Sequence, residues 1–274
     1  MKELHGSEQA AYYASNMQEQ ELLPELSIKC FGHFEVRQAG HPLMLCSNRN
    51  AQMIFRYLTV QDRFCASVEK LLAVAWPEDA PHVARNKLHI AISALRRMLH
   101  ARLTYKPDVG YLVCRNHMYM LNDATTIHTD VNEFLYHYHM GQQQQCEEAR
   151  IGFYEQACQQ YKGPFLPEDI YADWSFLHRE RFSNMHLAMC RTLASYYFQH
   201  NCYEEAASWA MIILMDDHCD ETAHQQLMQI YAAQGYRSKA IQQYYTCERA
   251  LRQELGIEPL SSTTQLFRSL YDVG

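Results

Sequence analysis

Residues 76–111 constrain the fold more than any other stretch: a Trp76-Pro77 break, a long amphipathic run over 82–100, and a short basic connection into Gly110-Tyr111. Within 82–100 the apolar residues Ala84, Leu88, Ile92, Leu95 and Leu99 recur every three or four positions, the period of a helix that buries one stripe. The other face carries Arg85, Asn86, Lys87, His89, Ser93, Arg96 and Arg97. Such cations pair with phosphate, and the polar side chains can hydrogen-bond base edges. A solvated surface helix looks the same when it stands alone.

The residues before this helix read as a small sheet and two shorter helices. Leu26, Ile28, Cys30, Phe34 and Val36 alternate with polar residues around Gly32, and Leu43 and Leu45 follow an Ala39-Gly40 turn, which predicts antiparallel strands. Ser47-Asn48 can cap a helix carrying Met53, Ile54, Tyr57 and Leu58. Ser67 can cap a second, carrying Leu71, Leu72 and Ala75, that stops at Trp76-Pro77. Asp79 and Pro81 suit the opening of the long helix. After it, 103–105, 110–113 and 117–121 read as strands, the last two joined by Cys114-Arg115-Asn116. The order is sheet, three helices, hairpin.

Charge divides the chain. Residues 26–122 hold 13 Lys and Arg against 6 Asp and Glu, a net of +7, whereas 123–274 hold 10 against 20, a net of -10. Residues 1–25 add a net of -4 and form a polar leader whose low hydrophobicity predicts disorder. A basic half joined to an acidic half suits nucleic-acid binding by the first and protein contact by the second. The ten cysteines never form a C-x-x-C pair and read as free thiols, no signal peptide is visible, and no apolar run reaches the ~20 residues of a bilayer span. A reducing cytoplasm is the expected compartment, with no membrane partner.

The basic half resembles the DNA-binding domain of SARP-type bacterial regulators, a winged helix of the OmpR-like kind with an N-terminal sheet. The resemblance rests on Leu26-Ser27-Ile28-Lys29-Cys30-Phe31-Gly32, on Leu71 with Ala75-Trp76-Pro77, on Ala84-Arg85-Asn86-Lys87-Leu88, on Ser93 with Leu95-Arg96-Arg97 and Leu99, and on Gly110-Tyr111. It implies that the long helix lies in a DNA major groove and that the hairpin forms a wing beside the backbone or in the minor groove. Under it, Arg85, Asn86, His89 and Ser93 are the candidate base readers. Lys87, Arg96, Arg97, Lys106 and Arg115 are candidate phosphate contacts, and Arg49 can join them beside the amides that begin the first helix. The stretch Arg63-Phe64-Cys65-Ala66 departs from the family pattern, lacking the usual β-branched residue.

From Asp130 onward the pattern is helical, with an internal repeat. Leu193, Tyr197 and Ala206 recur 34 residues later as Leu227, Tyr231 and Ala240, and His200-Asn201-Cys202-Tyr203 answers Gln234-Gly235-Tyr236-Arg237. This period resembles the tetratricopeptide repeat, in which small residues let paired helices approach. An earlier helix over 147–161, with Ala149, Phe153 and Ala157, can supply part of another unit. Tyr161-Lys162-Gly163-Pro164-Phe165-Leu166-Pro167, Tyr171-Ala172-Asp173-Trp174, and Leu251-Arg252 with Glu254-Leu255-Gly256-Ile257-Glu258-Pro259 resemble the bacterial transcriptional activator domain of the same regulators. The expected architecture is therefore an α+β winged helix over 26–122, then an all-α, tetratricopeptide-like domain over 123–274.

Other chemistry is weakly supported. His186 and Cys190 lie four apart, and Asp216-Asp217-His218-Cys219-Asp220-Glu221 gathers possible ligands, but no second pair has a recognised metal spacing, so neither metal nor cofactor is expected. Tyr136, His137, Tyr138 and His139 precede Gly141 and a Gln run over 142–145, which reads as a helix end and a solvated loop. No P-loop, G-x-S-x-G or H-E-x-x-H motif is present, so no enzymatic activity is expected.

The leading reading is a transcriptional regulator, an activator that binds double-stranded promoter DNA through the winged helix and contacts RNA polymerase or itself through the repeats. Family analogy adds a homodimer on tandem half-sites. Two rivals stay open: an effector-gated regulator with a small molecule or nucleotide messenger in the helical domain, and a protein-interaction scaffold without DNA binding.

Overall fold

The structure, a computed structural model, describes residues 23–103, 110–122 and 125–272. Residues 1–22 of the expected leader, positions 104–105 of the expected strand and Lys106 lie outside the described residues. By internal contacts the chain divides into two units: residues up to Asn132 together with Phe165–Phe176, and Glu133–Pro164 together with Leu177 onward.

The first unit runs β1 (Leu26–Lys29), β2 (Glu35–Gln38), β3 (His41–Pro42), α1 (Arg49–Thr59), β4 (Cys65–Ser67), α2 (Val68–Ala75), α3 (Pro81–His100), β5 (Leu112–Arg115), β6 (Met118–Leu121) and β7 (Ile127–Thr129). One sheet has the order β3-β2-β1-β7, with β1 antiparallel to β2 and parallel to β7; the other is antiparallel β4-β6-β5. Ala39 and Gly40 both take positive φ, the geometry of a two-residue hairpin turn between β2 and β3.

Alternation in the strands and periodicity in the helices converge on one core. Leu26, Ile28 and Val36 are buried with Ile54, Phe55 and Leu58 of α1, Leu71 of α2, and Leu88, Leu95 and Leu99 of α3. Each such side chain contributes on the order of 1.5–3 kcal/mol relative to its exposed state. The rings of Phe34 and Phe55 meet edge to face at 6.2 Å. Side-chain caps start α1 and α2 where the sequence predicts: Asn48 Oδ1 accepts from the Ala51 N–H and Ser67 Oγ from that of Lys70. Pro81 occupies the first turn of α3.

The Cys65–Ser67 stretch, whose composition departs from the family pattern, is a strand held by its ladder to β6. Two sequence readings of local structure are corrected. The turn of the hairpin is Asn116-His117, both at positive φ, while Cys114 and Arg115 belong to β5. The 142–145 region is not wholly loop, because α4 (Asp130–Gln143) continues through Gly141. A Cβ at position 141 would lie 2.6 Å from the Tyr154 ring, so glycine lets that ring pack directly on the helix.

Residues 165–176 complete the first unit. Leu166 N–H donates to the Cys30 carbonyl at 2.9 Å, Phe31 bridges Phe165, and Glu168 Oε1 accepts from the Phe34 N–H at 2.8 Å. Asp130 does the same from the start of α4, accepting the N–H groups of Cys30 and Phe31. Burial raises its pKa to about 6, against the pull of those hydrogen bonds.

The second unit is helical: α5 (Glu147–Gln160), α6 (Asp173–Gln199, from Leu177), α7 (Tyr203–Asp216), α8 (Glu221–Ala233), α9 (Arg237–Ala250) and α10 (Ser261–Asp272), together with the end of α4. Ala194, Ala206, Ala207, Ala210, Leu227 and Ile230 form a buried cluster flanked by Tyr197, Trp209 and Tyr231. Small residues permit this close approach of helices, as the repeat requires. The two repeat turns match in detail. Asn201 and Gly235 are both left-handed, and the next N–H donates back to Tyr197 in one turn and Tyr231 in the other, at 2.9 and 2.8 Å. Gly256, also left-handed, ends the helical run after α9.

Candidate nucleic-acid interface

Helix α3 separates its two chemistries cleanly. Ala84, Leu88, Ala91, Ile92, Leu95, Met98 and Leu99 are buried, while Arg85, Asn86, Lys87, His89, Ser93, Arg96 and Arg97 are exposed. At 100° per residue, Asn86, His89, Ser93 and Arg97 cluster near the centre of the outward arc, and Arg85 and Arg96 fall on one flank. All four candidate base readers and the α3 candidate cations are therefore solvent-facing, with Lys87 on the flank opposite Arg85 and Arg96.

Their present partners distinguish them. Among the described residues, the side chains of Arg85, Asn86 and Arg97 have no hydrogen-bond or ion-pair partner, as is also true of Arg49 and Arg115. Ser93 Oγ donates to the His89 carbonyl at 2.8 Å, leaving its lone pairs to accept. Lys87 Nζ is 2.5 Å from Asp79 Oδ2 in an exposed pair of the kind worth at most ~1 kcal/mol, which a phosphate can displace. Arg96 is engaged in another way, since its Nε–H donates to the Leu112 carbonyl of β5 at 3.1 Å and so fastens α3 to the hairpin.

A second set of contacts fixes the hairpin further. Gln38 Nε2 donates to the Leu99 carbonyl, one of the acceptors left over at the end of α3, and to the Tyr111 hydroxyl, at 3.0 and 2.7 Å. Tyr111 in turn donates to the Pro24 carbonyl, and Asn122 Nδ2 donates to the Gly110 carbonyl. His100 meets the Tyr111 ring edge to face at 6.0 Å. Burial and the nearby Arg96 charge hold the His100 pKa below its usual value, so this end of α3 adds no imidazolium near neutral pH. A Cβ on Gly110 would come 2.7 Å from His100 Nε2, which accounts for glycine before the hairpin. Arg115 lies exposed beside the Asn116-His117 tip, and Arg49 at the first turn of α1.

Three further exposed residues of α3 did not stand out in the sequence. His82 falls on the same arc as His89 and Asn86, and Val83 and Ile90 expose 36% and 63% of their surface in a helix that otherwise hides its large aliphatic side chains. Helical spacing could have found His82. Ile90 is the more informative, because an exposed aliphatic group among the candidate base readers has the chemistry to meet a thymine methyl.

Comparison with known proteins supports the architecture. A family model described as bacterial transcriptional activator domain matches residues 129–271. Among solved structures, Mycobacterium tuberculosis EmbR in complex with a low-affinity phosphopeptide matches with a TM-score of 0.65 at 19% identity, over 90% of this chain. The chain spans 65% of the length of that structure. At that identity the likeness is one of fold, and the fold is a winged helix with an N-terminal sheet followed by helical repeats. A search of curated proteins finds no match. Among the described residues, no helix is long and apolar enough to cross a membrane.

Proposed function

The chain belongs to the bacterial transcriptional activator domain family, and from that premise we propose that this transcriptional regulator binds promoter DNA in a sequence-specific way and activates transcription. The observation that carries the reading is the exposed face of α3, where Arg85, Asn86, His89 and Ser93 stand together beside a hairpin held in place by Arg96 and Gln38. In this reading α3 enters the major groove, Arg85 and Asn86 read base edges, and Arg49, Lys87, Arg97 and Arg115 contact phosphates. Arg96 both fastens the hairpin and reaches the backbone. The acidic helical unit contacts RNA polymerase or a second copy of the chain, giving two protomers on tandem half-sites about one helical turn apart. No covalent chemistry is assigned to any residue.

Selection of random duplex DNA by the full chain tests this directly, run beside an Arg85→Ala/Asn86→Ala variant at two salt concentrations. A tandem motif enriched by the parent and lost by the folded variant supports it. Uniform, salt-sensitive binding without enrichment overturns base reading, and absence of binding leaves the scaffold reading in its place.

A further inference from the structure

One cluster in the helical unit has no part in DNA binding. Cys158 near the end of α5 meets His186 and Cys190 of α6, with the two sulfurs and one imidazole nitrogen all within 4.8 Å of one another. His186 and Cys190 share a face of α6 through their four-residue spacing, and Cys190 Sγ lies 3.6 Å from His186 Nε2. The Tyr161 ring stacks on the imidazole at 4.1 Å between centroids and 16° between planes, fixing its orientation.

We propose that Cys158, His186 and Cys190 bind one thiophilic closed-shell metal ion, Cu(I) or Zn(II). Soft thiolates with an imidazole form a donor set that selects such ions over hard cations. The geometry is already close to what they need: an ion about 2.3 Å from each sulfur and 2.0 Å from nitrogen separates tetrahedral S and N ligand atoms by roughly 3.5 Å. Collapse onto an ion therefore requires side-chain adjustment rather than movement of helices. Cys190 is fully buried, but Cys158 and His186 retain 7% and 8% exposure, which gives an ion an edge to enter by. Three donors complete a trigonal Cu(I) site by themselves. Zn(II) would take a solvent molecule as its fourth ligand on that same open edge. Either ion ties α5 to α6 and stabilises the folded helical unit.

The test uses the full chain, reduced under anaerobic conditions, with Cys114, Cys146 and Cys202 changed to Ser because these three exposed thiols could bind metal independently. Zn(II) and Cu(I) are titrated separately against colorimetric competitors, and Co(II) is added to read thiolate-to-metal charge transfer. The expected result is one equivalent of Zn(II) or Cu(I) with sub-micromolar affinity, weakened at least 100-fold by Cys158→Ser/Cys190→Ser and unchanged by Cys247→Ser, which alters a buried thiol outside the cluster. Should the double variant not fold, mass spectrometry on the unaltered cluster replaces it: one metal equivalent should slow alkylation of Cys158 and Cys190 but not of Cys247. No binding tighter than micromolar, binding that survives the double variant, or alkylation indifferent to metal overturns the proposal.

Discussion

The guanidinium of Arg56 and the carboxylate of Asp169 form a buried two-point ion pair, Nε to Oδ2 at 2.6 Å and Nη2 to Oδ1 at 2.7 Å, between residues 113 positions apart. Both side chains are more than nine-tenths buried, and Arg56 also lies over the Phe34 ring at 5.5 Å. Removing one partner strands the other charge in a low-dielectric interior. Arg56→Ala or Asp169→Ala is expected to cost about 3–5 kcal/mol, whereas Arg56→Met/Asp169→Leu together cost much less. Urea denaturation of the three variants checks this, and equal losses in all three would count against a desolvation origin.

Gly110→Ala should lower stability by roughly 1–3 kcal/mol, because its methyl group meets His100 Nε2 at 2.7 Å while that ring is held against Tyr111. Adding His100→Ala should recover part of the loss by vacating the space. Thermal melts of the single and double variants decide the point, and absence of any recovery would place the strain in the backbone instead.

Two exposed residues of α3 should separate specificity from general affinity. Arg97→Ala is expected to weaken binding to all sequences alike and reduce the salt slope by about 1. Asn86→Ala should relax preference at one base position, by about 1–3 kcal/mol of discrimination. Neither residue touches the core, so their melting temperatures should match the parent.

Asp130 gives the stability a pH dependence of defined sign. Burial lifts its carboxyl from 3.8 to about 6, so the folded state holds the proton more tightly than the unfolded chain. The stabilisation linked to protonation is complete below about pH 4 and is lost as pH rises through 6. His100, His178 and His224, whose pKa values burial lowers, act in the opposite sense below their usual value of 6.5. The measurement is therefore a comparison: denaturation of the parent and Asp130→Asn between pH 4 and 7, in which the gap between them should change with pH. A constant gap would remove Asp130 as its source.

Much of the fold is legible where structure is local. The α3 stripe, the Asn48 and Ser67 caps and the 34-residue echo of Asn201 in Gly235 each follow from residues within one or two turns of one another. What escapes the sequence depends on distant strands and side chains. Cys65-Ala66-Ser67 becomes a strand only because β6 lies beside it, and Ile127–Thr129 because β1 does. In the same way Cys158 joins His186 and Cys190 through the packing of two helices, which no motif spacing records. The outward arc of α3 is legible as chemistry, but the engagement of Lys87 with Asp79 and of Arg96 with Leu112 depends on where the chain folds back.

The return of residues 165–176 to the first unit has a consequence during synthesis. A ribosome working from the N-terminus releases the strands and helices of that unit well before the segment carrying Leu166, Glu168 and Asp169. Until then Arg56 awaits its counter-ion, and Cys30 and Phe34 lack their partners from this segment. By the time Phe176 emerges, α5 has already been made, so the final closure of the first unit occurs with part of the second one present. The winged helix is thus translated ahead of the helical unit but completes its own contacts only after the first helices of that unit have been made.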